Sequence, residues 1–267
     1  MFRPVALLSA ATAIAGLGAT GSLAQSADDL AKATANPLAS MISVPFQFNF
    51  DYGAGPGGSG KNYSLKAQPV VPFELTPDWN VISRTIVPLS FAQDIFPADT
   101  FGLGDIAESL WLSPANSGVD GLTWGIGPQF LLPTATDPVL GSGKFGIGPT
   151  GLVVMQQGKI TVGALVNQMW SVAGDPSRPD VNSLFVQPFV SYALPEGQSI
   201  GANLEASYDW NSGQWTVPLN LTYSKVFTAG TQPMSFSVGV RKYLTSTPGG
   251  PDWGARAGLT FLFPQGH

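Results

Sequence analysis

Residues 199–224 read SIGANLEASYDWNSGQWTVPLNLTYS. Taken alternately, Ile200, Ala202, Leu204, Ala206, Tyr208 and Trp210 share one face, and Ser199, Asn203, Glu205, Ser207 and Asp209 share the other. After Asn211-Ser212-Gly213 the pattern restarts, with Trp215, Val217, Leu219, Leu221 and Tyr223 opposite Thr216, Asn220, Thr222 and Ser224. Period-two alternation gives a strand with one apolar and one polar face. Strands of soluble sheets usually run about 5–6 residues. Two runs of about ten, with aromatics at their ends and a tight polar turn between them, fit a transmembrane β-hairpin.

The rest of the chain repeats this unit. Alternating runs over 42–52, 62–73, 79–88, 105–113, 122–132, 145–156, 160–167, 183–194, 234–241 and 256–263 bring the number of strands to twelve. The fold expected is all-β: a transmembrane, antiparallel, up-and-down barrel of about twelve strands over 41–264. An even number places both ends on one side, as closure of such a barrel requires. Connections sort by parity. Those after the first, third, fifth, seventh and eleventh strands read as long, 90–104 among them, and those after the second, sixth and eighth as short. Trp79, Trp111, Trp124, Tyr192 and Tyr223 fall near one rim. Tyr52, Tyr63, Trp170, Tyr208, Trp210, Trp215, Tyr243 and Trp253 fall near the other, as two interfacial girdles would.

Composition agrees with a lipid partner. The 267 residues are 44% hydrophobic but only 11% charged, against about 25% charged in a soluble domain. No run after the N-terminus approaches the roughly 20 apolar residues of a spanning helix. Arg3, the apolar stretch 5–17 and the small residues up to Ala24 have the three-part form of an export signal over 1–24, with cleavage after Ala24. Residues 25–40 read as a periplasmic N-terminal arm that could also plug the lumen. A net charge of −5 with no basic stripe argues against a nucleic-acid partner.

Several segments look familiar together: Asn36-Pro37-Leu38-Ala39, Ile42-Ser43-Val44-Pro45-Phe46-Gln47, Asp78-Trp79-Asn80, Gly102-Leu103-Gly104-Asp105, Leu132-Pro133-Thr134-Ala135-Thr136, Gly148-Pro149-Thr150, Gln187-Pro188-Phe189 and Phe261-Leu262-Phe263-Pro264. They resemble a bacterial family of outer-membrane transporter-like barrels, often labelled "neuromedin U" and similar to the barrel of the MetA pathway of phenol degradation. The similarity runs over about 36–264. It implies a barrel in the outer membrane of a Gram-negative bacterium and brings no catalytic motif.

Chemistry is constrained further by what residue types exist. There is no cysteine, and the one histidine is His267, the last residue. A serine–histidine or cysteine machinery therefore has no base or nucleophile at a strand rim. Glu205 and Asp209 share a face about 13 Å apart, wider than a glycosidase pair. No metal-ligand or cofactor motif is present, so no enzyme and no cofactor is expected. The inward charges are Asp51, Lys66, Glu205, Asp209, Arg241 and Arg256, with Arg84 at a weaker position. Arg241, Arg256, Asp51 and Lys66 should form one wall, either a salt-bridge network or a selectivity constriction. Only Asp51 is a carboxylate on that wall, so at least one cation there is expected to be uncompensated. Leu259, Phe261 and Phe263 give the alternating C-terminal pattern that barrel assembly machinery recognises. The function expected is a channel or transporter for small molecules, aromatic or hydrophobic ones among the candidates. A non-transport scaffold or adhesion barrel is the alternative.

Overall fold

The computed structural model describes residues 26–116, 118 and 121–264. Its strands form one antiparallel barrel. The first strand is Met41–Ala54. The second is Gly60–Ala67 continued by Val70–Thr76, and the third is Trp79–Gln93. The fourth is Thr100–Leu103 continued by Ile106–Pro114, followed by Leu122–Leu132, Lys144–Gln157, Ile160–Gly174 and Asn182–Leu194. The ninth is Gln198–Leu204 continued by Ala206–Asp209. Gln214–Ala229, Gln232–Thr245 and Trp253–Pro264 complete twelve. Each pairs with its neighbours in sequence, and the twelfth closes on the first, from Met41 opposite Pro264 to Tyr52 opposite Trp253. The break at Glu205 does not shift the ladder, because Leu204 faces Leu219 and Ser207 faces Thr216 in one register. Alternation of faces therefore survives the break, which matters for Glu205 below.

The alternation read from sequence sorts side chains as a membrane barrel requires. Phe48, Leu65, Ile126, Val166, Ile200, Leu221 and Val240 are exposed on the outside. Asn49, Ser64, Ser109, Thr150, Asn167 and Asn220 are buried within. Lipid-facing apolar and lumen-facing polar residues on alternating positions are the pattern of a transmembrane barrel. No helix among the described residues is long and apolar enough to cross a membrane. Glu108 breaks the pattern. It shares the outward parity of the exposed Leu112, and its carboxylate accepts hydrogen bonds from the Ser83 and Thr85 hydroxyls on the neighbouring strand. Two neutral donors from the same wall meet the acceptor demand that lipid cannot.

Three expectations need correction. The third strand does not stop near Pro88. It runs to Gln93, and the fourth begins at Thr100, so the loop is 94–99 rather than 90–104. Pro88 sits within the ladder opposite Lys66, and Leu89 and Phe91 continue the outward row against Leu65 and Tyr63. Trp111 is not a girdle residue: it is 0% exposed, points into the barrel and donates its indole N–H to Thr150 Oγ1 at 3.2 Å. Tyr243 is not one either, since its hydroxyl donates to Asp51 inside the lumen. The other girdle pairs are present, with Trp79 edge-on to Trp124 at 5.9 Å and Tyr208 against Trp210 and Trp215 at 4.8 and 4.9 Å.

The arm enters the barrel. Helix α1, Ala27–Thr34, is capped by Ser26, whose side chain accepts from the Asp29 amide, with Asp28 and Asp29 in its first turn. It lies across the end of the barrel where the first strand begins and the twelfth ends. Leu30 and Ala31 are buried there with Met41, Val226 and Leu262. Asp28 Oδ1 accepts from the Gly197 amide of the turn after the eighth strand at 2.6 Å. Past the helix, Leu38 inserts among Val70, Ile82, Trp111, Leu152, Val154 and Leu165, with Phe185 and Phe189 beside them. Gly125 is part of that fit, because a Cβ there would come within 3.0 Å of Trp111 and 3.2 Å of Leu38. The export signal expected over 1–24 lies outside the described residues, as does His267.

Candidate functional site

Above the arm, a layer of paired charges crosses the lumen. It comes from the first, second, ninth, eleventh and twelfth strands, which closure makes neighbours or near neighbours. Arg241 Nη1 lies 3.3 Å from Asp51 Oδ1, and Arg241 Nη2 lies 3.4 Å from Glu205 Oε2. Arg256 Nη2 lies 2.9 Å from Glu205 Oε1, and its Nε donates to Asn49 Oδ1 at 2.8 Å. The Tyr243 hydroxyl donates to Asp51 Oδ1 at 3.0 Å, and its ring stands 5.4 Å from the Arg241 guanidinium. Two guanidiniums share one carboxylate, and each has a further acceptor. Charges taken out of water survive only when paired and hydrogen-bonded in this way.

Between this layer and the arm lies a cavity of about 360 Å³. Its floor is Ala31, Ala33, Ala35 and Pro37 of the arm. One side is apolar, formed by Val70, Leu152, Leu165 and Phe189. The other carries short polar side chains, among them Ser199, Ser224, Ser235 and Ser237. Gly163 makes room for the Phe189 ring, which a Cβ would strike. Arg256 reaches the cavity from above, while Arg84 reaches it from the third strand and donates to Gln68 Oε1 at 2.6 Å.

The structure brings Asp51, Arg241, Arg256 and Glu205 into one network. Lys66 lies close enough to interact electrostatically with all four, yet makes no hydrogen bond or ion pair among the described residues. Arg84 stands apart in the cavity. Asp209 belongs to neither group. It is exposed at the rim opposite the arm and caps its own turn, accepting from the Asn211 amide at 2.8 Å and the Ser212 hydroxyl at 3.0 Å. Its inward parity had placed it with the lumen charges, but a short acidic side chain at a strand end bonds locally first. The expectation that Asp51 is the network's one carboxylate is also overturned. Glu205 comes from a strand two places from the eleventh and three from the twelfth and still reaches both arginines, because long side chains span a narrow lumen.

Sequence reading missed Tyr243, Asn49 and Gln68. Parity carried the signal for all three, since Tyr243 follows Arg241 by two and Asn49 precedes Asp51 by two. Leu259, Phe261 and Phe263 form the outward row of the last strand, with Leu262 buried inward between them. Among the described residues no group of three or more histidine, cysteine, aspartate or glutamate side chains could hold a metal.

No protein-family model matches the chain, and no curated protein matches it. Solved structures do. An outer membrane channel from Pseudomonas putida F1 superposes with a TM-score of 0.64 at 17% identity, over 84% of this chain and 94% of that one. Outer membrane phospholipase A from Escherichia coli gives a TM-score of 0.48 at 11% identity, over 90% of this chain and 99% of that one. The likeness to the Pseudomonas putida channel shows that the twelve-stranded barrel described above is a fold of bacterial outer-membrane proteins.

Proposed function

We propose that this chain is a channel or transporter of the outer membrane for small molecules, with aromatic or hydrophobic compounds among its permeants. The cavity carries this reading: one side of the lumen is left unfilled and lined by short polar side chains, whereas a barrel built only as a scaffold can fill its interior. The fold shared with an outer membrane channel supports it. The arm then acts as a stopper at the periplasmic mouth, taking the end with the short turns as the periplasmic side. A scaffold or adhesion barrel is the second reading, and the seated arm is the observation that favours it.

Single-channel recording in planar bilayers tests the proposal. The intact chain should give discrete conductance steps, and removal of residues 26–38 should enlarge them several-fold. Silence from both proteins, each shown to be folded by heat-modifiable gel mobility, would contradict the channel and leave the scaffold.

A further inference from the structure

Among the described residues, the charge layer and the cavity together hold four cations, Lys66, Arg84, Arg241 and Arg256, against two carboxylates, Asp51 and Glu205. Both carboxylates are engaged by Arg241 and Arg256. Lys66 and Arg84 are left over, and of the two it is Arg84 that lines the cavity. Its one hydrogen bond among the described residues uses Nη2, so one partner, Gln68, holds a fork that has five N–H donors. A guanidinium fixed by one edge offers its remaining donors as a ready site for a planar, bidentate acceptor. Facing the same space are Val70, Leu152, Leu165 and Phe189, a patch that rewards an apolar body. The volume, about 360 Å³, lies within the usual range of about 300–1,000 Å³ for small-ligand sites.

We propose that the cavity is a binding site for small organic monoanions, with a carboxylate head on Arg84 and an apolar body against Phe189, Leu152, Leu165 and Val70. The proposal rests on the transport reading for its purpose but not for its test. The anion supplies the ion pair that Arg84 lacks among the described residues, where Glu205 acts on it only from a distance, and Lys66 adds attraction from the layer above. A neutral aromatic of the same size gains the apolar contact alone. An inorganic anion gains the charge alone.

Isothermal titration calorimetry on the full chain refolded in detergent provides the test, with benzoate as probe and benzyl alcohol as its neutral counterpart. Benzoate should bind one site per barrel at least tenfold more tightly than benzyl alcohol. Arg84→Gln should weaken benzoate at least tenfold and leave benzyl alcohol unchanged, and Arg84→Lys should fall between. Benzoate affinity that is unchanged in Arg84→Gln, or no tighter than that of benzyl alcohol in the unmodified protein, overturns the site. If Arg84→Gln does not reach the heat-modifiable folded form, Arg84→Lys carries the test, and its full retention of benzoate affinity counts against the bidentate head. Conductance of the same preparation separates the two ideas. Binding without conductance removes the channel and keeps the site; conductance without binding does the reverse.

Discussion

The two walls of the lumen are built on opposite principles. From the second to the eighth strand, in the half of the barrel near the arm, the interior is solid: Val70, Ile82, Trp111, Leu152, Val154 and Leu165 close around Leu38. From the ninth to the twelfth, the interior positions that face the cavity are mostly small or polar, such as Gly201, Thr222, Ser224 and Ser237, and only Val226 and Leu262 at the arm's end are large, buried and apolar among those described. The first wall behaves like the core of a soluble domain and holds Leu38 of the arm, while the helix of the arm rests on Met41, Val226 and Leu262. The second leaves space. One barrel thus separates the work of staying folded from the work of leaving a path, and a lumen of twelve strands is wide enough to permit both.

The largest effect should come from attacking the solid wall. Trp111→Ala removes a fully buried indole and its bond to Thr150, at a cost of about 3–5 kcal/mol in denaturant unfolding from detergent. Ser237→Ala on the open wall should stay within about 0.5 kcal/mol. Equal effects would erase the distinction between the walls.

Next is the carboxylate that ties the charge layer together. Glu205→Gln leaves Arg256 without its ion pair, while Arg241 keeps Asp51. A loss of about 2 kcal/mol is expected, the scale of a charge-assisted hydrogen bond. The reversal potential should move towards anions, since the layer then carries more uncompensated positive charge. A shift towards cations would mean that this layer does not line the path.

Assembly should depend on neither wall. Phe263 faces outward on the last strand, so Phe263→Ala should lower the amount of folded barrel in the outer membrane about twofold or more without altering the conductance of the molecules that do assemble. Unchanged insertion would place the assembly signal elsewhere.

The smallest effect belongs to the loops at the rim away from the arm. Asp180 accepts from Lys144 Nζ at 2.9 Å and from the Ser171 hydroxyl at 3.2 Å, and these bonds hold its carboxyl below the ordinary aspartate value. A depressed folded value means that the contribution is present above the ordinary aspartate value and is lost as pH falls through the lower folded one. Because Asp180 is exposed, Asp180→Asn should change loop mobility and not the unfolding midpoint. A clear drop in the midpoint at neutral pH would show the loops to be structural.

The twelve strands were legible because a barrel imposes one rule, strict alternation, on every residue of every strand. Their ends were less so. At Pro88 a proline reads as a stop, yet the ladder runs past it. Parity also placed Asp51, Arg241 and Arg256 together, because closure makes the last strands neighbours of the first. It could not say how far a side chain reaches across the lumen, so Glu205 was not placed with that wall, where it pairs both arginines and leaves Lys66 as the cation without an ion pair among the described residues. Nor could it seat Leu38, since an arm outside the sheet obeys no period. Aromatic rings at strand ends misled in two cases, where Trp111 and Tyr243 have inward parity and inward partners.

Water access to the open wall tests the central claim most directly. The chain contains no cysteine, so single substitutions report without background. Ser237→Cys and Val154→Cys, each in the otherwise intact chain, should be exposed to a small charged thiosulfonate reagent during single-channel recording. The account predicts that Ser237→Cys is modified and its conductance falls, while Val154→Cys, 0% exposed in the solid wall, does not react. Modification of both at similar rates, or of neither, would contradict it.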